Sequence, residues 1–133
     1  MKRIALALFT LGLVLFSGKA FIATSSAEAP RREKAVVEFA QTVKLQGVLL
    51  RGEYVIVHDE ERMARGEPCT YVYKSKNGIE GELVVSFHCE HVERTKVNRF
   101  TVRLYNAHTP YSVPEVREFQ FANSTAGHQV PSA

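Results

Sequence analysis

Hydrophobic and polar residues alternate with a period of two through much of this chain. Residues 100–105 place apolar Phe100, Val102 and Leu104 between more polar neighbours, and residues 43–46 repeat the pattern. Successive side chains of a β-strand point to opposite faces of the sheet. The alternation therefore predicts strands that have one buried and one exposed face.

Two other runs, residues 54–57 and 83–85, are apolar at every position. Such runs are typical of strands covered on both faces. Glycines separate the apolar runs at positions that suit turns. They are Gly47, Gly52, Gly66, Gly78 and Gly81. Short strands at this spacing predict an all-β fold, a small antiparallel sandwich or barrel.

One segment, residues 59–66, departs from the β pattern and predicts a short helical turn. Asp59 is suited to the N-cap, Glu60 and Glu61 to the first turn, and Gly66 to the position after the last carbonyls, with Pro68 following. Capping explains this concentration of charged residues without a catalytic role.

The N-terminus has the features of a secretory signal. Two basic residues precede an apolar run over residues 4–16, and small residues follow. The run is shorter than the roughly 20 residues of a spanning helix. We therefore expect a cleavable signal peptide over residues 1–29, a mature N-terminus between Phe21 and Pro30, and no stable membrane span after cleavage.

Removal of the signal changes the charge of the protein. The whole chain has 17 Lys plus Arg and 14 Asp plus Glu. Lys2, Arg3 and Lys19 account for the basic excess, so the mature chain is balanced. Proteins that bind nucleic acid usually present a basic patch or stripe. Its absence from the mature sequence argues against nucleic acid as a partner.

The remaining sequence is long enough for one modest hydrophobic core. Residues 30–34 are charged and predict a polar linker. Residues 35–121 predict a single β-rich domain. Residues 122–133 are mostly small and polar, and they predict a disordered tail.

The chain contains two cysteines, Cys69 and Cys89. An even number of cysteines in an exported protein favours a disulfide, because disulfides persist in oxidising compartments. We expect a Cys69–Cys89 bond across a β-hairpin, in a periplasmic or extracellular protein.

Two hairpin registers compete around this bond. One pairs Tyr71 with Phe87, places the cysteines opposite each other and needs a three-residue loop at 78–80. The other uses Asn77 and Gly78 as a tight type I′ turn and carries the cysteines out of direct pairing. We expect the first register, because the aromatic pairing and the compartment both agree with it.

Five residues contain the side chains that a metal site prefers: His58, Cys69, His88, Cys89 and His91. On a strand, Cys89 and His91 share a face. Together with His58 or Cys69 they form a candidate zinc or copper site. The spacing between Cys89 and His91 is tighter than that of the usual zinc motifs, so a plain disulfide is the stronger expectation and no cofactor is predicted.

The stretches 52–59, 62–73 and 84–94 read GEYVIVHD, RMARGEPCTYVY and VVSFHCEHVER. They resemble a group of small exported bacterial proteins of unknown function. The resemblance covers about 40 residues in the middle of the chain. It implies export, a bacterial source and the importance of both cysteines, and it implies no activity, ligand or catalytic residue.

The sequence contains no nucleophile elbow and no phosphate-binding glycine loop. We therefore expect a non-enzymatic exported β-domain that acts as a binding or structural module, with an unknown protein or small ligand as its partner. One alternative is a periplasmic zinc- or copper-binding protein. The other is a hydrolase with an unrecognised site.

Overall fold

A computed structural model describes residues 28–106 and 109–133. Within these residues the chain forms eight strands and one short helix. The elements are β1 (Arg32–Leu45), β2 (Val48–Asp59), α1 (Glu60–Ala64), β3 (Thr70–Lys76), β4 (Ile79–Phe87), β5 (Glu90–Glu93), β6 (Thr101–Tyr105), β7 (Glu115–Gln120) and β8 (Ala126–Gln129). The predicted all-β class with one short helical turn is confirmed. The predicted signal peptide lies almost entirely outside the described residues.

All eight strands belong to one open sheet. Its order is β4-β3-β2-β1-β7-β8-β5, and β6 pairs with β7. The pairs are antiparallel except for a parallel contact between β1 and β7 at Lys44 and Glu115. No helix among the described residues is long and apolar enough to cross a membrane.

The sheet folds over, so that its two halves face each other. In a flat sheet β8 would lie three strand spacings, roughly 14 Å, from β2. Instead the rings of His58 in β2 and His128 in β8 have centroids only 4.1 Å apart. Phe87 in β4 similarly contacts Phe119 in β7, with centroids 6.5 Å apart. The resulting arrangement is sandwich-like, and its core lies between the two halves.

Strands β1 and β2 form a long hairpin that supplies much of this core. A tight turn joins them at Gln46 and Gly47, which both have positive φ. Side chains of β1 alternate between inside and outside from Glu33 onward, and the pairing shifts at a bulge between Phe39 and Val43. Bulges bend a strand and increase its twist. Beyond the bulge β1 still pairs with β2, and Lys44 also meets Glu115 of β7.

The prediction of strands covered on both faces holds for one of the two runs. Residues 54–57 are all buried, with Tyr54 and Ile56 in the main core and Val55 and Val57 in a smaller cluster on the other face. Residues 83–85 are not buried in this way, because β4 is an edge strand and Leu83 is exposed.

The helical turn has the predicted caps. The Asp59 carboxylate accepts a hydrogen bond from the Arg62 backbone N–H at 3.0 Å. Gly66 has a φ of 78° and follows the helix, where its backbone N–H bonds to the Met63 carbonyl. The Arg62 guanidinium lies 4.4 Å from the Tyr71 ring centroid. Asp59 and Arg62 therefore serve the capping and packing of α1.

The disulfide between Cys69 and Cys89 is present, and their Cα atoms are 6.2 Å apart. The turn of the β3–β4 hairpin, however, is not the one that we expected. Asn77 and Gly78 have φ values of 54° and 75°, so they form the tight turn rather than a three-residue loop at 78–80.

Two register shifts near Tyr73 explain how this turn and the disulfide coexist. They move the pairing along β4, so that Thr70 lies opposite Phe87 at the far end of the hairpin. Tyr71 therefore does not face Phe87, as the expected register required. The tight turn and the disulfide would exclude each other only in a ladder without bulges, and this ladder has two register shifts.

The polar segments predicted to flank the domain, the linker and the tail, both form part of the sheet. Strand β1 begins at Arg32, inside the predicted linker. The predicted disordered tail contains β8, which pairs with β5 and β7, and its Val130 is buried in the core. The prediction was wrong because strand pairing and a few buried side chains hold this segment despite its polar composition.

Replacement of Asp59 by Ala is expected to destabilise the protein by about 1 kcal/mol, because the first turn of α1 loses its cap. Asp59→Asn should cost less, since its side chain can still accept the bond. Urea denaturation of the three proteins measures the difference. Equal loss in both variants would contradict the capping role.

Gly127→Ala is expected to destabilise the protein by about 1–3 kcal/mol through overpacking. A Cβ atom at this position would lie 2.7–2.9 Å from Glu118, Arg94 and Val92 atoms. The Glu118 carboxylate cannot easily move, because Arg94 binds it through two hydrogen bonds. Thermal unfolding monitored by circular dichroism tests this expectation, and an unchanged melting temperature would contradict it.

Candidate metal centre

A cavity of about 200 Å³ lies where the two halves of the sheet meet. Its walls come from β1, β2, α1, the β4–β5 connection, β5 and the segment that includes β8. The lining residues are Arg31, Glu33, His58, Glu60, Met63, Cys89, His91, Ser124, Ala126 and His128. Three imidazoles and two carboxylates thus surround one small space.

Glu33 and His58 enter this cavity from the β1–β2 hairpin. They are direct cross-strand partners, so their side chains share a face of the sheet. The Glu33 Oε2 atom lies 4.0 Å from the Nδ1 atom of His58. His58 is only 4% exposed. The antiparallel register therefore fixes a carboxylate beside a buried imidazole.

His128 approaches the same carboxylate from the opposite half of the sheet. Its Nε2 atom is also 4.0 Å from Glu33 Oε2. The ring stacks on Phe119, its partner in β7, with centroids 5.1 Å apart. His128 is 3% exposed. Packing by the aromatic ring therefore holds the second imidazole in place.

The nitrogen atoms that face Glu33 have no hydrogen-bond partner among the described residues. These atoms are His58 Nδ1 and His128 Nε2, and both are buried. Buried polar atoms are nearly always paired, and an unpaired one costs about 1–3 kcal/mol. Two unpaired nitrogens directed at one carboxylate oxygen therefore form a geometry that a cation between them would satisfy.

Burial also keeps both rings uncharged. Desolvation lowers the pKa of His58, although the carboxylates of Glu60 and Asp59 act in the opposite direction. Desolvation likewise lowers the pKa of His128 from 6.5 to about 3, with His58 and His91 acting in the same direction. A neutral imidazole is the form that binds metal ions.

The distances suit a transition-metal ion. The ligand atoms of Glu33, His58 and His128 all lie within 4.8 Å of one another. Zinc binds imidazole nitrogen and carboxylate oxygen at about 2.0–2.2 Å, which places tetrahedral ligands roughly 3.4 Å apart. The observed 4.0 Å separations need a contraction of about half an ångström, which side-chain rotation can supply.

His91 and Cys89, two of the metal ligands considered from the sequence, also line this cavity. His91 pairs directly with His128 across β5 and β8, so it shares the face that points to the cavity, although its side chain is 63% exposed. Cys89 forms the disulfide, and its Sγ atom lies 3.7 Å from His128 Nδ1. His58, His91 and Cys89 are thus brought together, while His88 does not line this cavity.

Sequence reasoning missed Glu33 and His128, because they fall in the segments predicted as a linker and a tail. The period-two alternation of residues could have identified Glu33. Glu33 is in phase with Ala35, Val37 and Phe39, which point inward from β1. The signal for His128 is weaker, since the buried positions of this segment are Gly127, His128 and Val130, of which only Val130 has a large apolar side chain.

Searches of known protein families, curated proteins and solved structures find no match to this chain. The resemblance to small exported bacterial proteins therefore stays a prediction. The chemistry of the cavity has to be inferred from its own residues.

Acidification of the metal-free protein should lower its stability as the pH falls below about 6.5. Histidines of the unfolded chain then take up protons, while His128 remains neutral until about pH 3. Between about pH 7 and pH 5.5, each histidine that stays neutral in the folded protein but is protonated in the unfolded chain should lower the free energy of unfolding by about 1 kcal/mol. Urea denaturation in the presence of a chelator measures the loss.

His128→Phe provides the control, because it keeps an aromatic ring against Phe119 without a titrating group. This variant should lose about 1 kcal/mol less than the wild type over the same pH interval. Identical losses in the two proteins would show that His128 is not the buried neutral group.

Proposed function

We propose that this protein is an exported β-domain that binds a divalent transition-metal ion through Glu33, His58 and His128. The observation that carries the proposal is the convergence of two buried, unpartnered imidazole nitrogens on one carboxylate oxygen, each at 4.0 Å. An ion at their centre would satisfy all three groups at once. A hydrogen-bonded or apolar core would need none of this arrangement.

The ligand set favours particular ions. Two imidazoles and one carboxylate suit zinc and other first-row divalent ions, whereas magnesium and calcium prefer oxygen ligands alone. His91 lies at the cavity and offers a fourth ligand, its ring nitrogen. With His91 bound, the site would be four-coordinate and closed, as structural zinc sites are. We therefore take Zn²⁺ as the first ion to test.

The cellular setting supports the same function. The disulfide is consistent with an oxidising compartment outside the cytoplasm. Together with the N-terminal signal pattern, it supports a periplasmic or extracellular location. In this proposal the domain is a binding module rather than an enzyme, and the metal ion is its ligand.

Untagged wild-type protein, stripped with a chelator, should bind one Zn²⁺ ion in isothermal titration calorimetry. Glu33→Gln should weaken this binding at least tenfold, because a neutral amide replaces the carboxylate. Zinc at a hundredfold excess over Kd should also stabilise the wild type by about 2.7 kcal/mol.

Glu38→Gln is the matched control. Glu38 lies on the same strand, but its side chain is exposed and outside the cavity. The control variant should bind zinc as the wild type does. Absence of binding to the wild type, or equal binding by the two variants, would overturn the proposed function.

A further inference from the structure

The disulfide forms part of the wall of the cavity. Cys89 lines the cavity, and the sulfur atoms of Cys69 and Cys89 lie within 4.8 Å of a ring nitrogen of His58. His58 therefore belongs to two possible ligand sets. One contains Glu33 and His128, and the other contains the two cysteines.

The oxidation state of the cysteines decides which set is available. A thiolate is a strong metal ligand, whereas the sulfurs of a disulfide are not in that form. With the bond closed, only nitrogen and oxygen ligands remain. With the bond open, two thiolates and one imidazole become available, and soft sulfur ligands favour Cu(I).

We propose that reduction of the Cys69–Cys89 bond converts this cavity into a Cu(I) site formed by His58, Cys69 and Cys89. The proposal rests on the proposed function only in that both sites share His58. The protein would thus hold a divalent ion when oxidised and monovalent copper when reduced.

The surroundings of the two sulfur atoms determine which one a reductant attacks and which one leaves as the thiolate. Cys69 is 1% exposed, whereas Cys89 is half-buried and faces the cavity. A dithiol reductant therefore attacks the Cys89 sulfur, because this sulfur is the accessible one. The backbone N–H of Cys89 donates a hydrogen bond to Cys69 Sγ at 2.8 Å. This bond would stabilise Cys69 as the leaving thiolate.

The exchange balances in two steps. First, the attacking thiolate forms a mixed disulfide with Cys89, and the Cys69–Cys89 bond breaks to release the Cys69 thiolate. Then the second thiol of the reductant attacks the mixed disulfide, which releases Cys89 and leaves the reductant as a cyclic disulfide. The reductant supplies two electrons and two protons. Cu(I) displaces those protons when both thiolates bind.

The test compares oxidised and reduced wild-type protein under nitrogen. Dithiothreitol reduces the protein and is then removed by desalting. Cu(I) is delivered as its bathocuproine disulfonate complex, and transfer to the protein is read as loss of the colour of that complex. Reduced protein should take up one Cu(I) and hold it at least a hundredfold more tightly than oxidised protein. Equal uptake by the two forms would overturn the proposal.

Three variants separate the two ligand sets. Reduced Glu33→Gln should bind Cu(I) as the wild type does, although its zinc binding is weakened. The double variant Cys69→Ser, Cys89→Ser should keep zinc binding and lose Cu(I) binding. Reduced His58→Asn should bind Cu(I) at least tenfold more weakly. If His58→Asn binds copper like the wild type, the cysteines act without the fold and the proposal fails.

The two proposals fail in different ways. Zinc binding by the oxidised protein without Cu(I) uptake on reduction would leave the proposed function and remove the redox-dependent site. Cu(I) uptake that depends on His58, without zinc binding by the oxidised protein, would leave the redox-dependent site and remove the proposed function.

Discussion

The bend in the β1–β2 hairpin is the constraint on which the rest of the structure depends. The bulge between Phe39 and Val43 bends β1 while it stays paired with β2, and Lys44 then also meets Glu115 at the start of β7. One sheet can thereby cover both sides of its own core. Without this bend β8 would extend beyond β7 in the plane of the sheet, and its side chains would not reach those of β2.

This arrangement of the sheet buries unpaired polar atoms at the site, which lowers the stability of the folded protein. Burial of a ring nitrogen without a hydrogen bond is unfavourable, and His58 and His128 each have one such nitrogen. The surrounding aromatic and aliphatic contacts must outweigh the cost. Departures from the usual rules of core formation concentrate at functional sites. The contrast with the well-paired Arg94–Glu118 contact elsewhere in the same half of the sheet supports that interpretation.

Much of the fold was accessible from the sequence, because the alternation of side chains and the capping residues act locally. The cap at Asp59, the disulfide and the two-sided burial of residues 54–57 are examples. The register of the β3–β4 hairpin was not accessible, since bulges respond to packing. His128 was missed for a related reason: a short polar strand is held by its neighbours, and its own composition does not reveal them.

The order of the strands also bears on when the site can form. The β1–β2 and β3–β4 hairpins are local and can pair early, whereas contacts between distant parts of a chain form more slowly. Glu33 and His128 lie near opposite ends of the described sequence, and the pairing of β8 with β7 places His128 beside Glu33. We therefore expect any ion held by these residues to be acquired late in folding, in the compartment where the chain completes its structure. The composition of that compartment, rather than that of the site of synthesis, would then select the ion.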